Sequence, residues 1–372
     1  ASVIKCPTCT STRDTMVPED IRADPWTLDA HCDSVYMREF LKGDGLPAEM
    51  QGVDPDTFFR VTLLRLVEGN VRCLFVNVGD IGLLTSSAVI DRLYTCAKMH
   101  EGAVSICRNA ADVARTVESG RLAVVMACES SFLFLGRLDL LRNWHRLGVR
   151  VANISHGEGQ DGMGWFGETA LSKDSLIRAD SLLALQGSPS RDGYVDPDLR
   201  KDLYTREEGL TGFGRAAVEE MMRLGMVCDL SHANDATFWD ALSIAEESGK
   251  GKFCCTHSNC FSLCNHGRNL TDGMMESLAA NDGVMGLCFF GKFIDRNDPS
   301  LERYVDHILH ALDVMGPDHV GIGSDYDGVP PDAFMAVAHP GRMGDLWSAL
   351  RDAGVQSSTL EKIAHENFLR LM

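Results

Sequence analysis

Apolar residues along the chain gather in short continuous runs, separated by longer stretches where they recur every three or four positions. The short runs are Trp26–His31, Val71–Val78, Leu122–Glu129, Val149–His156, Met226–His232, Phe253–Ser258, Gly283–Phe290 and His319–Asp325. Continuous rather than alternating apolar character belongs to parallel strands buried on both faces. The stretches between them read as helices. "TGFGRAAVEEMMRLG" offers Thr211 as an N-cap, sets Phe213, Ala217, Val218, Met221 and Leu224 on one side, and stops at Gly225. "FLGRLDLLRNWHRLG" and "SLERYVDHILHALDVMG" follow the same rule.

Strands alternating with helices predict an α/β fold, a single (β/α)8 TIM-type barrel over residues 1–372. A doubly wound open sheet is the alternative. It wants a glycine-rich phosphate turn after its first strand, and here that strand runs into "DAHCDSV". Residues 1–24 read as an N-terminal arm. The connection Gly157–Leu210, between the fourth and fifth predicted strands, is out of proportion to the others. Such segments carry function. It is expected as an insertion that forms a lid over the barrel mouth or a contact between subunits of a homo-oligomer.

Composition excludes several classes. A net charge of −18 argues against nucleic-acid and anionic-membrane partners. No apolar run is long enough to span a bilayer, and "ASVIKCPTCTSTRD" has no signal-peptide core. The 13 cysteines are odd in number and sit mostly in apolar runs, the habit of free thiols in a reducing compartment, which predicts a cytoplasmic location. Cys6 and Cys9 lack a second pair at zinc-finger spacing and read as part of the arm.

The candidate chemistry lies where the predicted strands end: His31 and Asp33, Glu129, His156, His232, His257 and Asp325. Barrel active sites form at that face. Taken singly, each residue has a plainer reading, a histidine bonded to a carbonyl or a carboxylate capping a helix. Together at one mouth, without a cation, they would carry a large desolvation cost. Imidazoles with carboxylates suit zinc or a similar divalent ion. Five ligands suit two ions sharing a carboxylate, which can clamp a hydroxide and polarise a carbonyl. Cys32 should point to the opposite face of its strand. His307 and His310 read as an exposed helix face, "GIGS" as strand packing, and Asp327 as a turn or cap residue.

These segments resemble the renal or membrane dipeptidase family of zinc peptidases, among the amidohydrolase-like barrels. The likeness runs from about Leu28 to the C-terminus, through "LDAHCDS", "VVMACESS", "LGVRVANISH", "FGRAAVEEMMRLGMVCDLSHAN", "THSNCFSLCNHGRN", "VGIGSDYDGVP" and "HENFLRLM". It implies a zinc-dependent dipeptidase with two divalent ions. His31 and Asp33 would bind one, His232 and His257 the other, and Glu129 would bridge them. His156 would face the scissile carbonyl, Arg268 would grip the substrate carboxylate, and Asp325 would carry the proton. The sequence departs from the family pattern after Glu129, where Ser130, Ser131 and Phe132 replace two glycines and often a histidine. It departs again at Phe290, about where many members have tyrosine, and in the long 157–210 connection. The expected reaction is hydrolysis of a dipeptide amide bond. Rival readings are an amidohydrolase-type enzyme on another C–N, lactam or ester bond, a metal-dependent decarboxylase, and a barrel without catalysis.

Overall fold

The computed structural model describes residues 24–35, 59–79, 83–156, 209–249 and 251–372. The Cys6–Cys9 arm and nearly all of the Gly157–Leu210 connection lie outside them.

The strands are β1 (Thr27–Cys32), β2 (Val71–Asn77), β3 (Val104–Cys107), β4 (Leu122–Cys128), β5 (Val149–Asn153), β6 (Val227–Asp229), β7 (Phe253–Ser258), β8 (Val284–Leu287) and β9 (Val320–Ile322). Eight pair in parallel in the order β1-β2-β4-β5-β6-β7-β8-β9. The barrel closes between its first and last strands. Asp33 N donates to Tyr326 O at 3.0 Å, and Asp325 N donates to His31 O at 3.2 Å. The Asp29 carboxylate reinforces that seam, accepting from Ser324 N at 2.8 Å and Ser324 Oγ at 2.6 Å. The predicted (β/α)8 fold is the one observed.

One strand was not predicted. β3 pairs with the first half of β4, from Val104 opposite Leu122 to Cys107 opposite Val125, while β5 takes the second half. Its four residues, VSIC, are mostly half-buried and too few to form a run like those of the other strands. Such a segment carries no periodic signal.

The helices end where their caps stop them. Gly212–Leu224 begins at Thr211, whose side chain accepts from Gly214 N, and ends at Gly225 with φ 69°. Leu138–Leu147 ends at Gly148, and Leu301–Met315 runs from the Ser300 cap to Gly316. His307, expected on an exposed face, is buried instead. Its Nδ1 accepts from Cys260 N at 3.1 Å and its Nε2 lies 2.9 Å from Ile294 O. Pairing both ring nitrogens makes burial affordable. His310 stays half-exposed beside Asp272.

Alternate residues of the strands show how the fold prepares its mouth. Cys73 and Phe75 are followed by Asn77, Val125 and Ala127 by Glu129, Val227 by Asp229, and Cys254 by Thr256. The early members belong to one apolar cluster, completed by Phe368 from the last helix. The later members are buried and polar. Toward the C-terminal ends of the strands the filling therefore changes from hydrocarbon to hydrogen-bonding groups. Gly323 belongs to this transition, because a Cβ there would overlap the carbonyl oxygen of Thr256.

Candidate metal centre

The strands stop short of several residues that the apolar runs seemed to include. Glu129 follows β4 directly, while His156, His232 and Asp325 lie three residues beyond β5, β6 and β9. His232 (φ 69°) and Asp325 (φ 62°) have left-handed backbone, uncommon for residues with a Cβ. Such strain clusters at functional sites held by their surroundings. In β1 a register shift between Asp29 and Cys32 re-aims the chain, so His31 enters the mouth while Cys32 joins the outer apolar core.

The structure brings together the seven residues expected at the strand ends. Glu129 Oε1 stands at the centre, 3.2 Å from His31 Nε2, 3.2 Å from His232 Nε2, 3.5 Å from His257 Nε2 and 3.8 Å from His156 Nε2. The Nε2 atoms of His232 and His257 are 2.8 Å apart. His31 Nε2 also lies 3.2 Å from Asp33 Oδ2. Three overlapping groups have the spacing of a metal site: His31, Glu129 and His257; Glu129, His156 and His232; and His31, Asp33 and Asp325. All are buried except His156, which is half-buried.

Electrostatics set the protonation states. Burial pushes His232 and His257 well below the usual imidazole range, with the Arg268 charge helping at both, so their ring nitrogens keep lone pairs. Burial would do the same to His31, but Glu129 and Asp33 hold it well above that range. Burial raises Glu129. Burial also pushes Asp325 up to about 8, with Asp33 and Glu129 adding repulsion.

This donor set fits divalent cations. His31 Nε2 and Asp33 Oδ2 are buried and face each other at 3.2 Å without good hydrogen-bond geometry. The imidazoles of His31, His156, His232 and His257 converge on one carboxylate oxygen, and no thiol belongs to the groups. A cation would satisfy these atoms together.

Asn77 was missed by sequence reasoning. Its Nδ2 donates to Asp33 Oδ1 at 2.7 Å and to Glu129 Oε2 at 3.0 Å, leaving the other oxygen of each carboxylate turned to the imidazoles. An asparagine at the end of an apolar strand gives no titratable or spacing signal. Asp327 lies in a turn with φ 67°, and its carboxylate ties that turn to distant segments, accepting from Arg60 N and Val61 N and from the Ser34 hydroxyl.

Arg268 is buried beside this cluster. Its Nη2 donates to His257 O at 3.1 Å, and its guanidinium lies 5.5 Å from the Phe293 ring centroid. Its Nε has no hydrogen-bond partner, and no carboxylate pairs with it among the described residues. Phe290 packs edge-on against Phe293, with centroids 5.0 Å apart.

Every cysteine among the described residues is free, and all but Cys96 are buried. No helix among these residues is long and apolar enough to cross a membrane.

The chain is similar to dipeptidase verJ of Clonostachys rogersoniana, 30% identical over 283 residues that cover 76% of this chain and 63% of that protein. It is 28% identical to dipeptidase tcpJ of Claviceps purpurea over 286 residues, 76% of this chain and 58% of that protein. It thus spans less than two thirds of the length of these relatives. Two solved structures share the fold. One is a metallo peptidase of Rhodobacter sphaeroides liganded with a phosphinate mimic of the dipeptide L-Ala-D-Ala: TM-score 0.75, 23% identity, 94% of this chain and 98% of that one. The other is a metallo peptidase described as dipeptidase AC: TM-score 0.73, 24% identity, 93% and 97%. The model of the membrane dipeptidase family, peptidase family M19, matches residues 19–179 and 188–372, taking in every strand of the barrel, and the chain belongs to that family.

Proposed function

We propose that the chain is a binuclear, zinc-dependent hydrolase that cleaves the amide bond of dipeptides. The observation that carries this reading is Glu129 Oε1, placed within 3.8 Å of four imidazole nitrogens. His31 and Asp33 would hold one ion, His232 and His257 the other, with Glu129 shared. Bound there, divalent ions polarise the scissile carbonyl and acidify the attacking water.

The remaining residues position substrate and move protons. Arg268 meets the free carboxylate of the dipeptide through its planar guanidinium, already anchored on His257 O. His156, the more exposed imidazole, faces the carbonyl and stabilises the developing oxyanion through an N–H. Asp325 accepts the proton of the attacking water and passes it to the leaving amine. Asp325 also groups with His31 and Asp33, the residues that would hold the first ion.

Metal analysis combined with a screen of dipeptides, small amides, lactams and esters tests the reading. Two ions per chain and cleavage of dipeptides support it. Turnover confined to lactams or esters moves the reaction elsewhere in the amidohydrolase-like chemistry. Two ions without any turnover leave a metal-stabilised barrel.

A further inference from the structure

Asp229, the last residue of β6, is 2% exposed, and no cationic side chain pairs with it among the described residues. Its hydrogen bonds lead to two of the centre's histidines. Oδ1 accepts from Ser231 N at 3.0 Å and Thr256 N at 2.9 Å. Oδ2 accepts from Thr256 Oγ1 at 2.5 Å. A hydroxyl has a single hydrogen, and Thr256 gives it to Asp229. Its oxygen can then only accept from His257 Nδ1, 2.9 Å away. The ring hydrogen of His257 therefore sits on Nδ1, and the Nε2 lone pair faces Glu129 and His232. The bond to Ser231 N acts on the other histidine. Ser231 precedes His232, whose φ of 69° must be held from outside the residue.

We propose that Asp229 is the positioning residue for the His232–His257 half of the centre, acting on His257 through the Thr256 hydroxyl and on His232 through the Ser231 backbone. This rests on the two-ion reading above. The other half has its own support. Asp29 accepts from His31 N at 3.3 Å and clamps Ser324, and Asn77 holds Asp33. Loss of the Asp229 relay should thus weaken one ion and spare the other. Partners that orient ligating histidines in this way are worth about 10–100-fold in metal affinity.

The test uses Thr256→Val, Thr256→Ser and Asp229→Asn, with two readouts: competitive zinc titration of the folded, metal-stripped protein, and ring 15N shifts of His257 before zinc is added. Thr256→Val should weaken one equivalent about 10–100-fold and leave the other unchanged, and Thr256→Ser should restore both. Asp229→Asn should invert the relay. Its amide then donates to Thr256, the Thr256 hydrogen turns to His257 Nδ1, and the ring hydrogen moves to Nε2. An unchanged His257 tautomer in both Thr256→Val and Asp229→Asn overturns the proposal, as does equal weakening of both equivalents. A native protein that binds a single equivalent sinks the two-ion reading instead, and the tautomer shifts still decide the role of Asp229.

Discussion

Gly328 leaves no room for a side chain against Asp33: a Cβ on its backbone would overlap Asp33 Oδ2, and with it Asp325 Oδ1. Backbone thus forms one wall of the carboxylate pair. Gly328→Ala should displace both carboxylates while the barrel still forms, since overpacking by one methyl costs about 1–3 kcal/mol. Zinc affinity should fall roughly tenfold or more. Competitive titration alongside a thermal melt checks this. Native zinc affinity in a folded Gly328→Ala protein would show that the carboxylates are not fixed by this contact.

Arg268→Ala should mainly raise KM for substrates with a free C-terminal carboxylate. Removing one side of a buried, charge-assisted pair costs about 2–5 kcal/mol. Arg268→Lys should recover only part of the loss, because an ammonium cannot donate as a planar fork. C-terminally amidated dipeptides should be poor substrates of the native protein and lose little more in the mutant. Equal turnover of free-acid and amidated dipeptides by the native protein contradicts the assigned grip.

His365 stacks on Trp26, with ring centroids 3.8 Å apart, and its Nδ1 lies 3.0 Å from Trp26 O. Burial lowers it to about 4. Between about pH 6.5 and 4 the unfolded chain takes up a proton that the folded chain refuses, so stability falls as pH drops through that window. The slope from this one group approaches about 1.4 kcal/mol per pH unit. His365→Phe keeps the stack and should flatten that share of the slope. Urea midpoints at pH 7 and pH 5 for both proteins measure it, and parallel slopes would remove His365 from the acid sensitivity.

Asp325→Asn should keep the fold and most of the bound metal while kcat falls by about 10²–10⁴, the usual scale of general acid–base catalysis. KM should change little. Glu129→Gln should lose metal as well as rate, since Glu129 touches all four imidazoles. Atomic analysis of both variants separates the roles. Should Asp325→Asn lose metal as its only defect, Asp325 is a ligand and not the proton carrier.

The barrel was readable because its long strands are continuously apolar and its helices carry caps such as Thr211 and Gly225. The clustered site was readable because His31, Glu129, His232 and His257 follow or end those strands. β3 was hidden by its length and half-buried pattern. The ends of β6 and β9 were overrun because an apolar run does not reveal where φ turns positive at His232 and Asp325. His307 was misjudged because helical spacing cannot show that Cys260 N and Ile294 O, from distant segments, satisfy the ring. Asn77 and Asp229 were silent for the same reason: their significance lies in partners brought by folding.

The expected property of the Glu129 cluster is metal-dependent cleavage of dipeptides. Its most direct measurement is amino-acid release from a library of L,L and L,D dipeptides by the zinc-loaded protein, by the same protein after chelation, and again after zinc is returned. Release should cease on chelation and recover with the second zinc equivalent. Release that survives complete metal removal, or no cleavage of any dipeptide by protein holding two zinc ions, would contradict the account.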